Sequence, residues 1–64
     1  MEDLKYTAGR IVEQVARHDM SVPDAIPLLA GLGVGTEADV EFALRGMING
    51  EFSQLDVLVG WSLL

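Results

Sequence analysis

His18 is the chain's one histidine, and there is no cysteine. Nucleophilic catalysis would need a serine within hydrogen-bond reach of that imidazole. Ser21 and Ser53 are the candidates, yet each stands just before an apolar helical pattern and reads as an N-cap. His18 falls at the expected end of the first helix, where its ring can cap free carbonyls. A single imidazole without thiolates excludes the usual zinc sites. Glu37 and Glu41 share a helix face and are oxygen donors of the kind a hard cation takes. They also lie near a helix start, where carboxylates complement the dipole, and that explanation is preferred. No run of alternating oxygen ligands suggests an EF-hand. Met20 and Met47 read as packing side chains. The glycine-rich GLGVG, residues 31–35, opens a helix as phosphate-binding loops do. Its spacing fails the dinucleotide fingerprint, no Lys follows, no strand precedes it, and three acids stand where phosphates would sit. No catalytic residue, metal or cofactor is expected.

The elements that would hold these residues are helices. Thr36 to Gly50 is the best specified. Thr36 is an N-cap, Asp39 its capping-box partner, and Glu37, Asp39 and Glu41 lie at the positive end of the dipole. Val40, Ala43, Leu44, Met47 and Ile48 form one apolar stripe. Glu41 precedes Arg45 by one turn, an ion-pair spacing, and Asn49 or Gly50 can take the left-handed conformation that ends the helix. Phe42 lies off the stripe, so it meets a second element or is exposed.

Glu2 to His18 reads as the first helix, with Leu4, Ala8, Ile11, Val12 and Val15 as its stripe and Glu13–Arg17 as an ion pair. Gly9 weakens it or marks a close helix approach. Ser21 and Asp24 suggest a second capping box, and Pro23 fits the first turn. Pro27 fits less well. The second helix is therefore short, kinked, or starts near Pro27, with Ile26, Leu28, Leu29 and Leu32 as core candidates. Ser53 and Asp56 open the last element, Gln54 to Leu64. Leu55, Leu58 and, one turn on, Ser62 or Leu63 form one face, Val57, Trp61 and Leu64 another, and Val59 fits neither. Alternation at Leu55, Val57, Val59 and Trp61 would suit a strand. The capping box and the lack of a partner strand favour a helix, apolar nearly all round. The reading is an all-α fold, one small four-helix domain over residues 1–64 with short loops.

A 64-residue chain that is 50% apolar and has no disulfide is small for independent stability, and such domains often bury side chains against another chain. Charge is unevenly placed. Residues 1–17 balance Glu2, Asp3 and Glu13 with Lys5, Arg10 and Arg17. Residues 18–64 set Asp19, Asp24, Glu37, Asp39, Glu41, Glu51 and Asp56 against Arg45, which accounts for the whole net −6. That balance repels phosphates and anionic lipid; it suits solubility or a basic protein partner. No secretory signal is visible, and the apolar C-terminal run is shorter than the about 20 residues a spanning helix needs. A soluble, cytoplasmic protein is expected.

Leu28 to Val34, followed by the capped helix and Gly50, resembles the helix-turn-helix of small phage-type repressors. The resemblance implies a second helix that enters the major groove with Arg, Lys, Gln or Asn. Here that helix carries Glu37, Asp39 and Glu41 instead. Arg17 to Ser21, then Asp24 to Ile26 and Leu28–Leu29, resembles a fragment of the RNA-binding ANTAR domain, without its basic residues and with Pro27 inserted. Neither resemblance transfers functional residues, and no direct nucleic-acid contact is expected.

Three readings follow. The first is an acidic protein-interaction module, a homodimer joined through Leu55, Leu58, Val59, Trp61, Leu63 and Leu64 together with Phe42. The second is an acidic inhibitor or DNA mimic, broadly similar in size and charge to small phage-borne anti-defence proteins. It would block a basic nucleic-acid-binding protein through Glu37, Asp39 and Glu41. The third is a helix-turn-helix-like regulator, in which only Lys5, Arg10 and Arg17 could meet phosphate.

Overall fold

Asp3 opens the first helix: its carboxylate accepts the Lys5 backbone N–H at 3.0 Å. The computed structural model describes residues 3–64, so Glu2 lies outside the described residues. The elements are α1 (Leu4–Ala16), α2 (Val22–Gly31), α3 (Glu37–Ile48) and α4 (Gln54–Gly60). Among the described residues there is no strand.

Side-chain caps start the other three helices. Thr36 and Asp39 form a complete capping box, with bonds of 3.1 and 3.3 Å. Ser53 and Asp56 form another, both bonds at 3.0 Å. At α2 only the serine half forms, from the Asp24 N–H to Ser21 Oγ at 3.3 Å. The Ser21 cap starts α2 at Val22 rather than near Pro27, and the helix continues through Pro27. Pro23 and Pro27, one turn apart, are both exposed. The backbone bond that Pro27 cannot make therefore falls on the side open to water.

Each helix also ends on a left-handed residue: His18 (φ 64°), Gly33 (φ 87°), Gly50 (φ 84°) and Ser62 (φ 62°). After α1, the His18 N–H reaches the Val15 carbonyl at 3.0 Å and the Asp19 N–H reaches that of Gln14 at 2.8 Å. Those paired bonds are a Schellman closure, and they recur after α3 and α4. So α1 stops at Ala16, two residues before His18. The His18 backbone, rather than its ring, makes the capping bond given by the structure. At the end of α3, Gly50 takes the left-handed place while Asn49 stays right-handed.

The core is aliphatic. Val12, Val15, Leu29, Val40 and Leu44 are fully buried, with Ala8, Ala25, Met47 and Val57 completing it. Four expected stripe residues, Leu4, Leu28, Ile48 and Leu55, remain exposed. Ala25, absent from the expected stripe, is buried in place of its larger neighbours. Among the described residues, α1 and α3 each touch all the other helices, while α2 and α4 do not meet. The accessible surface of 4074 Å² is close to the about 4000 Å² that a folded monomer of this mass exposes.

Gly9 has no neighbour where a Cβ would sit, so no close helix approach occurs there. That approach is made at Gly46, which is buried and against which the Phe52 ring lies so closely that a Cβ would overlap it. Gly9→Ala should stabilise the fold by up to about 1 kcal/mol, whereas Gly46→Ala should destabilise it by about 1–3 kcal/mol. Urea denaturation followed by circular dichroism checks both signs. His18→Gly relieves a left-handed side-chain residue and should add about 1 kcal/mol in the same assay.

Candidate functional site

The apolar C-terminal run divides into two sides. α4 is held at its start by the Ser53–Asp56 box and at its end by two bonds of 2.9 Å, Ser62 N–H to Val59 and Leu63 N–H to Leu58. The second closure turns the chain so that Leu63 returns to the core. Val57 is buried; Leu58, Trp61 and Leu63 are half-buried and pack against the core. Leu55, Val59 and Leu64 are not covered: they are 59%, 54% and 59% exposed. A helix that is apolar nearly all round needs cover on more than one side. It packs against α1 and α3, while α2 does not reach it and Leu55, Val59 and Leu64 stay open to water.

The other flank of α4 faces α3 across a groove of about 340 Å³. Phe42, Ala43, Phe52, Val57, Gly60 and Trp61 line it, together with Asp39 and Asp56. Phe42 meets Phe52 with ring centroids 5.8 Å apart, tilted by 56°, yet remains 70% exposed. The Phe52 ring occupies the notch that Gly46 leaves one turn after Phe42. Leu55 and Val59 are not part of the groove lining. At 100° per residue they lie around α4 from Asp56 and Gly60.

The three acids proposed for a basic target do not form one patch. Asp39 lines the groove, and its Oδ2 accepts the Thr36 N–H at 3.3 Å. Helical spacing turns Glu37 and Glu41 to the other flank of α3. There Glu41 pairs with Arg45 at 2.8 Å. The Glu13–Arg17 pair on α1 is longer, 4.0 Å, and both pairs are solvent-exposed, each contributing about 0.3–0.5 kcal/mol. Among the described residues, no three His, Cys, Asp or Glu side chains come together as a metal-holding group. Nor is any helix long and apolar enough to cross a membrane.

Sequence reasoning placed Phe42 and Trp61 at an interface but missed Phe52, Ala43 and Asp56 as their companions. The available signal was Gly46 one turn after an outward aromatic, which leaves room for a ring from the following loop. Phe42→Ala should cost about 1 kcal/mol or less, the worth of one aromatic pair. Leu44→Ala, two residues along the same helix, should cost about 2–5 kcal/mol. Denaturant titration of the two variants separates groove wall from core. Comparison with protein-family models, with curated proteins and with solved structures finds no match to this chain.

Proposed function

We propose that this chain is an acidic protein-interaction module of the cytoplasm, without catalytic activity, that pairs with a second copy of itself through its C-terminal segment. The observation that carries the reading is the exposure of Leu55, Val59 and Leu64, each more than half open to water on one short stretch. The half-buried Leu58, Trp61 and Leu63 would border the contact. Covering what remains exposed of each aliphatic side chain is worth about 1 kcal/mol. In a symmetric pair every such residue counts twice. The sum offsets only the lower part of an association cost of about 4–15 kcal/mol, so the pairing is weak and concentration-dependent.

A basic protein target is the second reading, supported by the net −6 and by carboxylates at the groove. The helix-turn-helix-like regulator has less support. Its reading helix presents Glu37 and Glu41, and its one cation, Arg45, is engaged by Glu41.

Size-exclusion chromatography with light scattering, run from low to high micromolar protein, tests the pairing. The mass should rise toward that of a dimer with concentration. The double variant Leu55→Glu, Val59→Glu should stay monomeric with an undiminished thermal midpoint, since neither side chain is in the core. A wild-type monomer at high micromolar concentration overturns the proposal.

A further inference from the structure

We infer that the groove between α3 and α4 receives an arginine side chain from a basic, amphipathic segment of another protein. This does not rest on self-association: Leu55, Val59 and Leu64 lie outside the groove, and Trp61 is the one residue that would border both contacts.

The lining has two chemical parts. Phe42, Phe52 and Trp61 supply aromatic surface, with Ala43, Val57 and Gly60 between them. Among the described residues, Asp39 and Asp56 supply the only charges and no Lys or Arg lines the groove. Arg45, the one cation of residues 18–64, is held by Glu41 at 2.8 Å. Among the described residues, the groove carboxylates therefore have no cation in the lining around them.

Both carboxylates are also held in place. Asp39 Oδ2 and Asp56 Oδ2 each accept the N–H of their own N-cap residue, at 3.3 and 3.0 Å. Neither Oδ1 makes a bond given by the structure, so each side chain keeps an acceptor while its orientation is fixed. The helix starts behind them carry about half a positive charge each, which offsets part of each carboxylate and leaves the rim negative. A guanidinium matches this surface better than an ammonium does. It is planar, stacks on aromatic faces, and spreads several donors in a fixed fork that can meet a carboxylate. The volume, about 340 Å³, lies at the small end of ligand-site sizes and suits a side chain with its apolar neighbours rather than a domain.

Trp61 is the one tryptophan and lines the groove, so its fluorescence reports occupancy directly. The probe is a short amphipathic peptide of leucine and arginine, free of aromatic residues, titrated into the full chain at low salt. The control peptide has glutamine in place of arginine. The arginine peptide should shift Trp61 emission saturably, and the glutamine peptide should bind about tenfold more weakly or worse. Asp39→Asn with Asp56→Asn should weaken the arginine peptide by about tenfold, since Asn retains a capping oxygen but not the charge. Glu37→Gln with Asp19→Asn removes the same charge away from the groove and should change affinity less than about threefold. Thermal melts establish that both pairs of variants are folded. No emission change with the arginine peptide overturns the inference. Equal binding of the two peptides overturns it, as does equal weakening by the two variant pairs. An emission shift on concentrating the protein alone, abolished by Phe42→Ala, would give the groove to a second copy and overturn it too.

Discussion

Every helix in this chain is too short to persist by itself. They run to 13, 10, 12 and 7 residues, at or below the length at which isolated helices are marginal in water. The fold therefore depends on fastening both ends of each helix. Side-chain oxygens of Asp3, Ser21, Thr36 and Ser53 receive the free N–H groups, and left-handed residues close the other ends. Two of those closures use His18 and Ser62, where glycine would be less strained. With ends fixed, a small aliphatic core of Val12, Val15, Leu29, Val40 and Leu44 can hold the helices together without a disulfide.

The same fastening shapes the surface. The closure after α4 returns Leu63 to the core. The closure after α3 brings Phe52 back over the helix that has just ended. The Glu51 and Phe52 N–H groups both reach the Gly46 carbonyl, at 2.7 and 3.2 Å, and the ring lands where a side chain at residue 46 would otherwise be. Backbone bonding and the missing side chain act together there. The groove is a consequence of how α3 stops.

Electrostatics follows from the caps as well. Asp24, Asp39 and Asp56 are all first-turn acids, and Glu41 belongs to an ion pair. Part of the net −6 thus supports helix starts rather than forming a broad acidic face. What remains for recognition is local: the outer oxygens of two carboxylates beside an aromatic floor.

Periodicity and end signals determined a great deal of this protein. Four helices, the Thr36 and Ser53 boxes, the Glu41–Arg45 pair and most of the buried stripe were legible, because they depend on residues within one turn of each other. The end of α1 was less legible: no local rule singles out His18 for a left-handed backbone when glycine is the usual occupant. Which face of α4 is covered was not legible at all, since its residues are apolar nearly all round and only the position of α1 and α3 chooses between them. Gly46 leaves a notch one turn after Phe42, but which ring fills it, that of Phe52 six residues later, was decided by how α3 stops. Local spacing wrote the elements. The exposed aliphatic flank and the aromatic groove were decided by packing, because burial depends on which neighbours reach a side chain, and those neighbours are distant in the chain.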